Sequence, residues 1–485
     1  MSGRIRFVLD GTICEVRGVA PTMTVLEWLR EERRRCGTKE GCAEGDCGAC
    51  TVAIGERSGA GMRYRAVNSC ILFMPMIDGK ELVTVESLKD GGRLHPVQQA
   101  MVECHGSQCG FCTPGFVMSL FALYHGGKEP RRETVDTVLA GNLCRCTGYR
   151  PIIEAAQRMR GFGAKDQFHR NAAATAGKLE AIERQDTLAL EKDGQRYFAP
   201  ANLEEFTACF EQYPEAVLVG GATDIGLWVT KLHRRPATLI YTGDVAELRR
   251  LEVGDESIEI GGAVPVSDVF DLLGAEFADF GEILRRFGGA QVRNAGTLGG
   301  NIANASPIGD TPPLLMALGA TLLLRRNRGT RIVPVDAFFL SYRKTALHES
   351  EFIEAIRIPR ARPGLEFRAY KISKRFDQDI SAVCGAFALG LDGGRVALIR
   401  MGFGGMAAVP KRAAHAEQAL LGEAWTEASA RAAMRAIERD FEPMTDMRAS
   451  AGYRLKLARN LLLKFYLETS NQPGATRVIR RDTAA

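Results

Sequence analysis

The sequence has no apolar run that approaches the roughly 20 residues a membrane-spanning helix requires. Its first residues alternate charged and apolar side chains and therefore do not resemble a signal peptide. Positive charges exceed negative ones only slightly, and the net charge is +5. The basic segment 325–331 contains no aromatic residue that could stack on a base. We therefore expect a cytoplasmic protein that binds neither a membrane nor nucleic acid.

Cysteine is nearly absent from most of the chain. Only Cys209 and Cys384 follow residue 146, whereas the other eleven of the 13 cysteines lie within the first 146 residues. Thiols stay reduced in the cytoplasm, so this crowding indicates metal ligation or redox chemistry rather than a disulfide framework. A chain of 485 residues exceeds one hydrophobic core, so we expect several domains, of which the first bear the metal.

The first cysteine group follows a predicted sheet and helix. Ile5, Phe7 and Leu9 alternate along one strand of a hairpin, and Thr24 precedes an apolar helical stripe. Three cysteines then have the C-x4-C-x2-C spacing of plant-type ferredoxins and a fourth arrives after a strand; the set is Cys42, Cys47, Cys50 and Cys70. The intervening glycines let backbone N–H groups approach cluster sulfur atoms. We expect a two-iron cluster, with a structural zinc site as the alternative.

The second cysteine group lies where the apolar period changes from two residues to about 3.6. Four helices are predicted, including one that begins at Pro96 and one led by Thr113 and Pro114. The loops between them hold a C-x2-C pair and a C-x-C pair, namely Cys109, Cys112, Cys144 and Cys146. Both loops at one end of a bundle would bring these thiols together, and helix N-termini favour an anionic cluster. Zinc is again the alternative. The cysteines outside both patterns, to which we assign no chemistry, are Cys14, Cys36, Cys104, Cys209 and Cys384.

The two groups together resemble a known family. The ferredoxin-like spacing is followed by QCGFCTPG and then by GNLCRCTGYRPI, a combination similar to the iron–sulfur region of the molybdenum hydroxylases, the xanthine dehydrogenase and aldehyde oxidase group. The resemblance implies two different 2Fe-2S clusters. The helical one should lie next to a molybdopterin cofactor, with Gln108 facing the pterin, and the ferredoxin-like one should lie nearer a flavin.

Two glycine-rich runs occur further along the chain. The first, 218–225, follows a predicted short strand and leads into a helix, where backbone N–H groups can approach a phosphate. It contains no G-x-G-x-x-G fingerprint, which argues against a Rossmann domain. The second run spans 293–310. Together they resemble the FAD domain of the same family, of the type shared with vanillyl-alcohol oxidase and the carbon monoxide dehydrogenase flavoproteins.

The resemblance implies flavin contacts at particular positions. Those expected to wrap the pyrophosphate are Leu218, Val219, Gly220, Gly221, Ala222, Thr223, Asp224 and Ile225. Those expected to meet the phosphates and ribityl chain are Thr297, Leu298, Gly299, Gly300 and Asn301. Further matched positions are Phe287, Asp310 toward a ribose or the adenine end, and Ile353 and Lys371 toward the adenine or the isoalloxazine. The segment 370–387 and Tyr342 are expected near a nicotinamide, although a charged hairpin loop is the plainer interpretation.

The expected fold class is multidomain α+β. Its parts are a ferredoxin-like β-grasp domain (1–90), a four-helix bundle iron–sulfur domain (91–162), a linker (163–194), a PCMH-type α+β FAD-binding domain (195–366), a small α+β C-terminal domain (367–472) and a tail (473–485). Helices near 426–441 and 449–466 are expected in the C-terminal domain.

The family's molybdenum-binding portion has no counterpart in this sequence. The resemblance therefore implies an electron-transfer subunit in complex with a large molybdenum-cofactor subunit, two of each, and no catalytic residue on this chain. The partner would oxidise xanthine or hypoxanthine, and electrons would pass through the helical-domain cluster and the ferredoxin-like cluster to FAD, which reduces NAD. Two alternatives stay open. One is the same role in a hydroxylase of aldehydes, carbon monoxide or aromatic acids, and the other is a stand-alone NADH-linked reductase.

Overall fold

The computed structural model describes residues 3–59 and 61–470, so the expected tail, 473–485, lies outside the described residues. The helices are α1 (Val25–Glu27), α2 (Pro96–Glu103), α3 (Thr113–His125), α4 (Arg132–Leu139), α5 (Arg150–Arg158), α6 (Gln167–Ile182), α7 (Leu203–Gln212), α8 (Ile225–Thr230), α9 (Val266–Glu276), α10 (Ala278–Arg285), α11 (Ala290–Ala295), α12 (Leu298–Ala303), α13 (Thr311–Leu318), α14 (Val335–Phe338), α15 (Ala414–Gln418), α16 (Glu427–Asp440) and α17 (Ala451–Thr469). Within the described ranges, none of them combines the length and the apolarity needed to cross a membrane.

The strands are β1 (Arg4–Leu9), β2 (Thr12–Arg17), β3 (Thr51–Ser58), β4 (Gly61–Asn68), β5 (Glu81–Val83), β6 (Leu188–Lys192), β7 (Gln195–Ala199), β8 (Val217–Val219), β9 (Thr238–Tyr241), β10 (Leu251–Val253), β11 (Ser257–Gly261), β12 (Thr321–Arg326), β13 (Gly329–Pro334), β14 (Phe339–Ser341), β15 (Lys344–Thr345), β16 (Phe352–Pro359), β17 (Leu365–Ile372), β18 (Val383–Asp392), β19 (Arg395–Gly404) and β20 (Lys411–Arg412).

The chain forms two compact units. The first runs to Arg250 and also contains Ala263–Asp268 and Phe287–Gly300. The second contains Leu251–Gly262, Val269–Arg286 and the described residues from Asn301 onward. Both cysteine groups and the first glycine-rich run therefore belong to the first unit.

The first unit begins with a five-stranded sheet in the order β2-β1-β5-β3-β4. The predicted β1–β2 hairpin is confirmed, and Asp10 and Gly11 turn it with φ of 51° and 71°, as a two-residue hairpin loop requires. β1 and β5 are parallel, while the other neighbours are antiparallel. The Phe7 and Trp28 rings meet edge to face at 5.4 Å in the core, so the predicted apolar stripe after Thr24 covers this sheet.

Helices α2 to α5 follow, and their predicted apolar faces are buried. Pro96 and Pro114 lie in the first turns of α2 and α3, where a missing N–H costs nothing. The core of this helical domain contains Met101, Phe116, Phe121, Ile152 and Met159, each at most 3% exposed. The four predicted ligand cysteines of the bundle lie on the loops between its helices, whereas Cys104 is part of its core.

The segment 163–194 contains regular structure. Asp166 caps α6, and Leu179 and Ile182 pack on Val8 of the first sheet. The segment therefore covers a sheet face before it enters β6. A second sheet, in the order β6-β7-β9-β8, completes the strands of the first unit, and β8 ends at Val219 directly before the first glycine-rich run.

The second unit contains a five-stranded sheet, β10-β11-β16-β12-β13, and a four-stranded sheet, β17-β18-β19-β20. α16 and α17 cover the latter around Phe387, Phe403 and Phe465, which are fully buried. Thr426 and Ser450 cap these two helices, close to the predicted starts. The expected multidomain α+β class is thereby confirmed.

Candidate functional site

The loop 42–50 and Cys70 bring the first four predicted ligands together. The thiols associate in pairs, Cys42 with Cys47 and Cys50 with Cys70. Backbone N–H groups of Glu44 and Cys47 donate to Sγ of Cys42 at 3.4 and 3.3 Å. The Cys47 thiol, together with N–H groups of the loop, lowers the pKa of Cys42 to about 5 although partial burial opposes this. The loop therefore favours sulfur in its anionic form, the form that binds metal.

The helix after the first glycine-rich run covers this loop. Leu227 of α8 packs on the buried group formed by Leu26, Cys50, Cys70 and Ile71. The Thr230 hydroxyl donates to the carbonyl of Ala43 at 2.8 Å. This contact joins residues 187 positions apart, which periodicity along the chain could not have indicated. The helix that follows the expected flavin segment therefore lies beside the ferredoxin-like thiols.

The second four thiols also meet in pairs, Cys109 with Cys146 and Cys112 with Cys144. Cys109 and Cys146 are exposed, while Cys112 and Cys144 are half-buried. Burial raises the pKa of the Cys112 thiol to about 12, with the neighbouring Cys144 acting in the same direction. Burial acts in the same direction on Cys144, but hydrogen bonds from Thr147, the Cys146 backbone and the Cys112 thiol outweigh it and leave the pKa of Cys144 below its usual value.

Thr147 supplies two of those donors, and Tyr149 accepts a hydrogen bond from the backbone of Cys144. The Thr147 hydroxyl lies 3.2 Å from Sγ of Cys144, and its N–H donates to the same sulfur at 3.5 Å. The Tyr149 hydroxyl accepts the N–H of Cys144 at 2.9 Å, and Tyr149 reaches this position with a positive φ of 69°. Gln108, beside Cys109, is exposed. The second set therefore opens toward the surface of the first unit, whereas Cys50 and Cys70 of the first set are only 2% exposed.

Both sets fit a two-iron cluster. Each supplies four thiols in two pairs, and each has N–H or hydroxyl donors directed at sulfur, as cluster sulfur and thiolate charge require. The eight cysteines are therefore the proposed cluster ligands.

In the first unit, the two glycine-rich runs lie against each other. A Cβ atom on Gly220 would stand 2.9 Å from Oγ1 of Thr297, and one on Gly221 would stand 1.8 Å from the carbonyl oxygen of Ala295. Thr297 Oγ1 accepts the N–H of Gly300 at 3.0 Å. The first run thus presents bare backbone to the Thr297 side chain and to the backbone of Ala295, which fits the cradle that a pyrophosphate needs.

A pocket in the first unit is bounded by these runs. Its lining includes Gly220, Gly221 and Thr297 together with the charged side chains Arg65 and Lys80. Arg65 donates to Asp268 at 2.8 Å, and Lys80 lies 3.6 Å from Asp244, so both cations are already paired.

The remaining predicted positions of the first unit occupy several settings. Ala222 has a positive φ of 56° and is buried. Thr223 lies beside Gly296, where an added Cβ would meet its hydroxyl at 3.1 Å, and Asp224 and Ile225 begin α8. Leu298 is fully buried and its N–H donates to the carbonyl of Val264. The carbonyl of Phe287 accepts from Arg293 at 3.1 Å. Leu218 and Val219 are strand residues of β8.

The second unit holds the other predicted flavin positions. Lys371 Nζ lies 2.5 Å from Asp310 Oδ2, and the Ser381 hydroxyl donates to Asp310 Oδ1 at 2.5 Å. Asn301 Oδ1 accepts from the Thr311 hydroxyl at 2.6 Å, beside Asp310 in sequence. The buried pair of Asp310 and Lys371 can supply one anionic acceptor and one cation to a polar ligand.

Other expected positions of the second unit are less suggestive. Ile353 lies in β16 opposite Leu324 and is 8% exposed. Residues 373–382 connect β17 to β18 as a hairpin loop, and Arg286 donates to the Lys371 and Phe376 carbonyls at its base. Tyr342 is exposed, with Arg343 over its ring.

Three histidines surround Asp166 in the first unit, a group that sequence reasoning missed. His95 Nε2 and His125 Nε2 lie 2.5 and 2.8 Å from Asp166 Oδ2, and His169 Nδ1 lies 2.7 Å from Oδ1. His95 Nδ1 accepts the N–H of Val97, so the ring proton is on Nε2 and faces the carboxylate. A cation would need Nε2 without its proton. The cluster is therefore a hydrogen-bonded helix cap rather than a metal site.

Three family models match the chain. They are a 2Fe-2S binding domain over residues 84–157, the FAD binding domain in molybdopterin dehydrogenase over 191–361, and the CO dehydrogenase flavoprotein C-terminal domain over 368–469. The xanthine dehydrogenase of Emericella nidulans is 34% identical over 528 residues, covering 96% of this chain. The xanthine dehydrogenase/oxidase of Rattus norvegicus is 31% identical, again over 96% of this chain. The chain spans 39% of the length of each of these relatives.

Solved structures are similar as well. Carbon monoxide dehydrogenase from Hydrogenophaga pseudoflava, in a form that lacks the Mo-pyranopterin moiety, is 31% identical with a TM-score of 0.52, covering 55% of this chain and 93% of that chain. Quinoline 2-oxidoreductase from Pseudomonas putida 86 is 26% identical with a TM-score of 0.51, covering 56% of this chain and 94% of that chain.

Fold and sites define the class as an iron–sulfur flavoprotein. The chain belongs to the molybdenum hydroxylase family and carries its 2Fe-2S and FAD domains.

Proposed function

We propose that this chain is the electron-transfer subunit of a xanthine dehydrogenase. The single observation that carries the proposal is the placement of two sets of four thiols in one compact unit with the first glycine-rich run. When bound, the two 2Fe-2S clusters would carry single electrons between the two-electron chemistry of a molybdenum site and that of FAD, with NAD as final acceptor.

The exposure of the two sets supports an order for the relay. The set 109–146 is open at its Cys109 and Cys146 edge and suits a partner that donates electrons. In the set 42–70, Cys50 and Cys70 are buried against Leu227 of α8, a helix that continues from the expected pyrophosphate segment, and this set suits the flavin side. The chain's own residues would therefore hold the clusters, shield the Cys50 and Cys70 side of the inner one from water and leave the Cys109 and Cys146 side of the outer one accessible.

The partner in this proposal is a large molybdenum-cofactor subunit, assembled as two of each chain. The xanthine dehydrogenases of Emericella nidulans and Rattus norvegicus support xanthine or hypoxanthine as substrate. The cytoplasm is the proposed compartment. Nicotinamide binding near the loop 373–382 belongs to the same proposal, since this loop is anchored by Arg286 beside the Asp310–Lys371 pair.

A second candidate is the same role in a different hydroxylase. The similarity to carbon monoxide dehydrogenase and quinoline 2-oxidoreductase favours it, at TM-scores of 0.52 and 0.51. Both candidates share every residue role on this chain, because the substrate would be bound by the partner. Only the source of electrons separates them.

The test is anaerobic reduction of the complex purified from its host through a tag on this chain. Xanthine should bleach the visible iron–sulfur and flavin absorption, and NAD should restore it. Bleaching by carbon monoxide or quinoline but not by xanthine would support the second candidate and refute the first. Purification without any molybdenum-containing chain would contradict both, and leave NADH-driven reduction to test the stand-alone reductase.

A further inference from the structure

The two cysteine loops of the first unit are in direct contact. The N–H of Leu143, which precedes Cys144, donates to the carbonyl of Cys47 at 3.0 Å. The side-chain amide of Asn142 donates to the carbonyl of Gly48 at 3.2 Å. One peptide link and one backbone hydrogen bond therefore separate a ligand position of one set from a ligand position of the other.

Glycines permit this approach. A Cβ atom on Gly48 would lie 2.1 Å from the carbonyl oxygen of Gly141, and one on Gly115 would lie 2.2 Å from the carbonyl oxygen of Gly48. Both distances are far below the 3.0 Å that real Cβ contacts respect. Backbone packs on backbone here, so small changes at this junction alter the separation of the two loops.

The side-chain amide of Gln291 links the two cysteine loops by hydrogen bonds to their neighbouring residues. Gln291 of α11 is 1% exposed, and its Nε2 lies 3.2 Å from Thr51 Oγ1, 3.0 Å from Ser119 Oγ and 2.9 Å from Asn142 Oδ1. Thr51 directly follows Cys50, and Asn142 lies two residues before Cys144. Gln291 thus holds the ferredoxin-like strand β3, the bundle helix α3 and the loop of the second set at once.

The directions of these hydrogen bonds are determined. The Thr51 hydroxyl donates to the carbonyl of Gly48 at 2.6 Å, and the Ser119 hydroxyl donates to Asn142 Oδ1 at 2.7 Å. Both hydroxyl oxygens and Asn142 Oδ1 therefore face Gln291 as acceptors, and the two hydrogens of its Nε2 serve all three. A buried network in which every member is satisfied specifies one arrangement. An apolar side chain at 291 would remove the donor to Ser119 Oγ and leave Asn142 Oδ1 and Thr51 Oγ1 with one donor each, the Ser119 hydroxyl at 2.7 Å and the Asn142 amide at 3.3 Å.

We infer that Gln291 is a positioning residue that sets the separation and orientation of the two clusters, and thereby the rate at which electrons cross between them. It acts through Thr51 and Asn142, which neighbour ligand positions, rather than by touching the clusters. The inference rests on the proposed function, because it requires both clusters on this chain.

The test compares Gln291→Leu with the native protein, each in complex with the partner. Leucine is similar in size but donates no hydrogen bond. We expect unchanged iron content and both cluster EPR signals, with an altered magnetic interaction between the two reduced clusters at low temperature. Electron transfer between the clusters, followed by freeze-quench EPR, should slow severalfold, because both quantities depend steeply on distance.

Gln98→Leu is the matched control. Gln98 also joins the two domains, since its Nε2 donates to the carbonyl of Val85 at 3.3 Å and its Oε1 accepts the N–H of His95 at 3.0 Å. Neither partner neighbours a predicted ligand. We expect no change of magnetic interaction in this variant, and a change as large as that of Gln291→Leu would overturn the inference.

Further outcomes are decisive as well. Native magnetic interaction and transfer rate in Gln291→Leu would refute the role of Gln291. If that variant loses iron, Thr51→Val takes its place, since valine keeps the shape but removes the acceptor Oγ1, and native behaviour there would refute the inference. Absence of two EPR signals from the native complex would instead refute the proposed function itself.

Discussion

Replacement of Gly221 by alanine should weaken FAD binding while leaving the iron–sulfur clusters in place. The new Cβ would stand 1.8 Å from the carbonyl oxygen of Ala295, whereas real Cβ contacts essentially never fall below 3.0 Å. The two glycine-rich runs must therefore separate by at least about 1.2 Å, the difference between these distances. Backbone atoms form the contact, so no side-chain rotation can relieve it.

Overpacking of this kind costs about 1–3 kcal/mol. If that strain opposes closure of the two runs on the flavin, the Kd for FAD rises by about 5- to 150-fold, since each 1.4 kcal/mol is a factor of ten. The assay is an FAD titration of deflavinated protein, with flavin and iron per chain measured on the same samples.

The control is Gly177→Ala. Gly177 lies in the middle of α6, and no described heavy atom comes within 4 Å of its added Cβ. Alanine there should leave FAD binding unchanged and stabilise the helix by up to about 1 kcal/mol. An unchanged Kd for FAD in Gly221→Ala, at unchanged stability, would refute the assignment of this run to the flavin.

Three further predictions concern stability and iron content. Burial raises the pKa of Glu81 to about 7 against the Tyr64 hydrogen bond, so the folded state holds a proton that the unfolded state, with a pKa of 4.5, releases. In denaturation experiments the free energy of unfolding of the native protein should fall by up to about 3 kcal/mol between pH 4.5 and 7. Glu81→Gln should lack this fall. The same pH dependence in Glu81→Gln as in the native protein would contradict the burial argument. Asp166→Asn should lower the free energy of unfolding by about 3 kcal/mol because the three histidine rings lose a shared acceptor. The control Asp136→Asn, which breaks an exposed ion pair with Arg132 on one helix, should lower it by under about 0.5 kcal/mol. Equal losses in the two variants would be inconsistent with a buried cluster. Cys109→Ser should reduce the iron content from about four to about two per chain and remove one EPR signal. Cys104→Ser, outside both sets, should keep all the iron and both signals. Iron loss in Cys104→Ser but not in Cys109→Ser would contradict the assignment of Cys109 as a ligand.

Local patterns predicted local structure well. The Asp10–Gly11 turn, the proline-led helices α2 and α3 and the capped helices α16 and α17 occur where the sequence indicated them, because each depends on residues within one or two turns. The cysteine spacings likewise indicated which four thiols would come together in each set, but not that Cys109 would pair with Cys146 and Cys112 with Cys144.

Contacts between distant residues could not be predicted in this way. Gln291 lies 240 positions from Thr51, and Thr230 lies 187 positions from Ala43, so no periodicity connects them. Asp166 falls in a stretch of charged and small residues, and its role depends on His95 and His125, which lie 71 and 41 positions earlier. A glutamine or threonine in a helix carries no signal of its own, and only the packing of domains gives these side chains their partners.

The central claim is that this chain carries two distinct two-iron clusters. Anaerobic metal analysis with low-temperature EPR on the dithionite-reduced protein tests it most directly. We predict about four irons per chain, negligible zinc and two distinguishable rhombic signals. Zinc in place of iron, or a single type of cluster, would contradict the electron-relay account.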